Sequence, residues 1–74
     1  MTADTEENEQ RRALDVGYRR AELTLEQLWL RYFALGGVAG LVEVEAYLHG
    51  MLALPPVQRD ILAHAVNERL DELT

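Results

Sequence analysis

The sequence predicts an all-α fold, a small three- to four-helix bundle with short connections marked by glycine and proline. Apolar residues recur at helical spacing in several separate stretches. Gly36–Gly37, Gly40 and Pro55–Pro56 punctuate the chain between those stretches. There is no β-hairpin signal and no internal repeat.

Residues 1–9 carry Asp4, Glu6, Glu7 and Glu9 and almost no apolar side chain. Burial cannot offset their ordering entropy, so a disordered acidic tail is expected there, with one helical domain over 10–74. A first helix is expected from about Gln10 to Glu22, where Leu14, Tyr18 and Ala21 share a narrow stripe that Gly17 interrupts. The second helix starts more sharply. Thr24 and Gln27 have capping-box spacing, Leu23 and Leu28 form the matching hydrophobic staple, and Gly36–Gly37 stops the helix after about Leu35. The third is expected over Leu41–Leu52, with Gly40 as N-cap, Glu43 in the first turn, and Leu41, Val44, Leu48 and Met51 on one face. Pro55–Pro56 then ends one element and opens the next, a fourth helix reaching about Leu73.

On the second helix, Leu25, Trp29, Tyr32 and Phe33 cluster, with Leu28 and Leu35 widening the stripe, so they are expected to form the core. Leu30 and Arg31 face away. The fourth helix has a main stripe of Leu62, Val66, Leu70 and Leu73, while Val57 and Ile61 point nearly the opposite way. A second apolar face in so short a chain must meet another helix or a partner. Leu30, Arg31, Val57 and Ile61 are therefore the candidate partner-binding residues.

Composition narrows the function. The chain has 74 residues, 49% of them hydrophobic, and no cysteine. Neither a disulfide nor a thiolate metal site can brace it, which makes self-association, such as a homodimer, a natural way to gain stability. No apolar run approaches the roughly 20 residues of a membrane span, and no signal layout opens the sequence, so a cytoplasmic location is expected. The net charge is −6, which opposes nucleic-acid binding. All seven basic residues are arginine, a composition suggestive of a GC-rich bacterial genome.

The inventory for catalysis is thin. There is no serine, cysteine or lysine, Thr24 is explained as a cap, and the other threonines are terminal, so no enzyme, no catalytic residue and no cofactor are expected. Two pairs at i, i+4, Glu45–His49 and Asp60–His64, have the spacing of metal ligands on helices. The simpler account is that both are solvated surface pairs. Gly37-Val38-Ala39-Gly40 matches G-x-x-G, the nucleotide clamp of KH domains, but without strands or a basic surround it reads as a helix stop followed by a helix start. The arginine pairs Arg11–Arg12 and Arg19–Arg20 are interleaved with acids, which suits intrahelical pairs such as Asp15–Arg19.

The stretches LWLRYFALGG, EVEAYLHG, LPP and QRDILAHAVNERLDEL resemble segments of a group of short, uncharacterised all-helical actinobacterial proteins, over about two-thirds of the chain. The resemblance implies a helical fold and carries no activity or site residue. The function expected is a non-enzymatic helical protein–protein interaction module, regulatory and able to self-associate. An acidic helix-turn-helix-like DNA-binding regulator built from the last two helices is the first alternative. A metal-binding helical protein using Glu45/His49 and Asp60/His64 is the second.

Overall fold

Among the described residues four helices form, and local signals account for most of their ends. The computed structural model describes residues 2–74, with side chains described from Glu6 onward. The helices are α1 (Thr2–Arg20), α2 (Leu25–Ala34), α3 (Leu41–Leu48) and α4 (Pro56–Glu72), and no strand occurs among the described residues. The all-α bundle read from the sequence is the observed architecture.

Helix α1 is longer at its N-terminus than apolar spacing predicts, beginning at Thr2 rather than near Gln10. Glutamate, glutamine and arginine propagate a helix without an apolar stripe, and Glu7 gains an ion pair with Arg59 of α4 at 2.9 Å. Met1 of the expected tail lies outside the described residues. The helix ends at Arg20, earlier than expected, because Glu22 takes a left-handed conformation (φ 56°). Arg69 of α4 donates from Nε to the Ala21 carbonyl at 3.1 Å, satisfying one of the acceptors left open at that end. Gly17 sits where α1 crosses α4, since a Cβ there would lie 3.0 Å from Val66 Cγ1.

Helix α2 carries the expected capping box. The Gln27 amide donates to Thr24 Oγ1 at 3.1 Å, and the Thr24 amide donates to Gln27 Oε1 at 2.9 Å. Its end is a Schellman turn in which Gly37 N–H reaches the Tyr32 carbonyl and Gly36 N–H the Phe33 carbonyl, both at 3.0 Å.

Helix α3 corrects the expected Leu41–Leu52 span. It stops at Leu48 because Gly50 adopts φ 75° and a second Schellman turn closes, with Met51 N–H on the Ala46 carbonyl at 2.8 Å. Met51, expected on the inner face, is 80% exposed as a result. Helix α4 starts at Pro56, as the sequence predicts, with Leu54 buried just ahead of it.

Helix α4 packs on α1 and α2, and α3 packs on the same two helices, so the order α1, α4, α2, α3 closes into a ring. Inside it lie Leu14, Ala21, Leu28, Tyr32, Val44, Tyr47, Leu48, Leu54, Leu62, Ala65 and Val66. The core face of α2 is therefore centred on Leu28 and Tyr32. Phe33, expected in the core, is 59% exposed and rests its ring on Trp29 with centroids 5.4 Å apart. Trp29 and Leu25 are only partly buried. On α4, Leu62 and Val66 are buried and Leu70 partly so, whereas Leu73 at the end of the stripe is exposed.

The connection from α2 to α3 is fastened by side chains. Tyr32 donates its hydroxyl to Gln58 Oε1, which also accepts from Val38 N–H at 3.0 Å, and the same hydroxyl accepts from Ala39 N–H at 2.8 Å. Trp29 Nε1 donates to the Ala39 carbonyl at 3.0 Å. The Gly37 backbone lies flat on the Tyr32 ring, leaving no space for a Cβ. Gly37→Ala is thus expected to destabilise the fold by about 2–3 kcal/mol through overpacking against a buried ring. Urea denaturation would check this; a loss under about 0.5 kcal/mol would contradict the close approach.

Candidate functional site

The candidate partner-binding residues fall into two recesses along the seam between α2 and α4. Val57 is 65% exposed and Ile61 half-buried, and the two share a shallow recess with Leu35, Asp60 and His64. One turn and two turns of α4 thus place Val57, Ile61 and His64 on one edge, while the last residue before the Gly36 turn supplies the facing wall. Leu30, 57% exposed, lines the other recess with Leu23, Gln27, Arg31 and Arg69. The structure joins Val57 with Ile61 and Leu30 with Arg31, but it does not merge the two sets.

The Arg31 head is already engaged. Its Nη1 and Nη2 donate to the two Glu72 carboxylate oxygens at 2.9 and 2.7 Å, a bidentate tie between α2 and the last turn of α4. Arg69 adds a weaker contact to Glu72 at 3.6 Å. The exposed Asp15–Arg19 pair expected on α1 is present at 3.3 Å.

The histidine pairs do not converge. His49 and Glu45 border a groove with Asp15, Tyr18 and Leu25, whereas His64 and Asp60 border the recess of Val57. Among the described residues, no group of three or more histidines and carboxylates is placed to hold a metal. Helix α4, the second helix of the DNA-binding alternative, presents Asp60, His64 and Asp71 at its surface, and its arginines Arg59 and Arg69 are turned to contacts inside the chain. No helix among the described residues is long and apolar enough to cross a membrane.

A third site was not read from the sequence. Arg11 and Glu7 of α1, Tyr47 of α3, Met51 and Ala53 of the following loop, and Arg59 of α4 line a cleft of about 230 Å³. The Tyr47 hydroxyl and Arg59 Nε, on two of the lining side chains, are buried and have no hydrogen-bond partner among the described residues. Each buried donor left without an acceptor costs on the order of 1–3 kcal/mol. Burial raises the Tyr47 phenol above its ordinary pKa, with Arg59 and Arg11 acting against that shift and Glu7 adding to it. The hydroxyl is therefore a proton donor at neutral pH. No spacing rule could have found this cleft, because its polar residues come from three different helices.

The Arg31 hydrogen bonds hold the Glu72 carboxyl below its ordinary range, with the charges of Arg31 and Arg69 helping and partial desolvation opposing. A carboxyl depressed in this way stabilises the fold above its ordinary pKa, and that contribution fades as pH falls through the folded-state value. Glu72→Gln is therefore expected to lower stability at neutral pH and to flatten the loss on acidification, with the difference shrinking in high salt. Thermal melts across the acid range would check it, and parallel profiles for the two proteins would contradict it.

No protein-family model, curated protein or solved structure matches the chain.

Proposed function

We propose that the chain is a non-enzymatic, regulatory helical module that binds another protein through the α2/α4 seam, acting in the cytoplasm. The observation carrying this reading is the recess of Leu35, Val57 and Ile61, where Val57 stands exposed beside two half-buried apolar side chains that pack on the core. Leu30 adds a second exposed apolar side chain in a separate recess, and Arg31 ties α2 to the end of α4 through Glu72.

The recess suits an apolar anchor presented by a helix of the partner. Asp60 and the net charge of −6 favour basic residues flanking that anchor. A second copy of this chain, itself acidic, would meet repulsion around the same contact. The absence of serine, cysteine and lysine supports a binding role over a catalytic one.

Val57→Glu places a charge at an exposed position and is expected to change stability by no more than about 0.5 kcal/mol. The same substitution should abolish retention of the partner when the tagged protein is recovered from its native host. Sedimentation across concentration distinguishes a second copy from a different protein. Equal retention by wild type and Val57→Glu would remove the basis for the seam.

A further inference from the structure

The cleft between α1, α3 and α4 carries an inference independent of the α2/α4 seam. Among the described residues its lining holds two cationic groups, Arg11 and Arg59, and one carboxylate, Glu7. Arg59 is only 12% exposed along its side chain, and Tyr47 only 4% exposed. The Arg11 guanidinium lies over Gly50, where an added Cβ would come within 3.2 Å of its Cζ.

The two orphaned groups are both donors, the Tyr47 O–H and the Arg59 Nε–H. Unfilled donors beside two guanidinium groups call for an anionic acceptor. A carboxylate already occupies part of the site, since Arg59 Nη1 donates to Glu7 Oε1 at 2.9 Å. Glu7 is half exposed and can turn outward, whereas Arg59 is held by its burial. Met51 and Ala53 supply an apolar border, and the volume is below the range of drug-sized pockets.

We propose that this cleft binds a small aliphatic carboxylate. Its oxygens accept from the Tyr47 hydroxyl, Arg59 Nε–H and the Arg11 guanidinium, while Glu7 swings into solvent. Glu7 is thus an internal competitor for the ligand.

The test is a titration of the full chain, followed by amide NMR shifts. The probes are sodium butyrate, inorganic phosphate, and sodium chloride at matched ionic strength. Butyrate is expected to give saturable shifts centred on Gly50 and Arg59, and chloride none. Glu7→Gln removes the competitor's charge and should tighten butyrate binding by about three- to tenfold. Tyr47→Phe keeps the ring and should weaken binding by about the same factor. Val57→Glu should leave butyrate binding unchanged, which separates this cleft from the proposed protein-binding seam. Several results would overturn the proposal: no saturable shift in either wild type or Glu7→Gln, equal affinity in Tyr47→Phe, weaker binding in Glu7→Gln, or phosphate binding more tightly than butyrate.

Discussion

The fold depends on how Tyr32 and Trp29 grip a single residue, Ala39. Tyr32 takes the Ala39 N–H on its hydroxyl, and Trp29 donates to the Ala39 carbonyl. Both polar groups of one loop residue are thereby satisfied by the helix that precedes the loop. The same Tyr32 hydroxyl continues to Gln58 in the first turn of α4, and Gln58 takes the Val38 amide as well. A buried ring with a satisfied polar end does two tasks here: it fills the core, and it sets where α3 and α4 begin relative to α2. The same ring confines Gly37, where a Cβ would collide with Tyr32.

Around that centre, arginines tie the helix ends. Arg31 binds Glu72, Arg69 binds the Ala21 carbonyl and Arg59 binds Glu7, so α4 is joined to α2 once and to the α1 region at both of its ends. The solvent-facing pair Arg31–Glu72 is individually weak. The arrangement of these ties matters more than their strength, because a chain with no cysteine has no covalent closure. The planar guanidinium suits these roles, since it can satisfy a carboxylate or a carbonyl while its stem covers apolar surface.

Elements governed by neighbouring residues were legible in the sequence. The Thr24–Gln27 capping box, the Gly36 stop and the Pro56 start act within one helical turn, and each is present. The helical wheel sets Leu30 apart from the apolar stripe of α2, and it is exposed, but for Val57 the wheel leaves open whether a neighbouring helix covers it. What failed to show was anything set by tertiary contact. The wheel could show that α2 has a broad apolar arc, but not that its centre lies at Leu28 and Tyr32, which leaves Phe33 outside. Apolar residues continue on both sides of Gly50 and give no stop signal, yet its left-handed conformation ends α3. The pairing of Leu35 with Val57, and the cleft of Tyr47 with Arg11 and Arg59, join residues from separate helices and leave no periodic signal.

The centrality of the Tyr32 hydroxyl is tested most directly by a double-mutant cycle of Tyr32→Phe and Gln58→Ala, read by urea denaturation. Tyr32→Phe keeps the ring but leaves the Ala39 amide without its acceptor, so a loss of about 1–3 kcal/mol is expected. Because both side chains belong to one hydrogen-bond network, the coupling between them should be about 0.5–1.5 kcal/mol. A Tyr32→Phe protein as stable as wild type, with additive losses in the double mutant, would contradict the account.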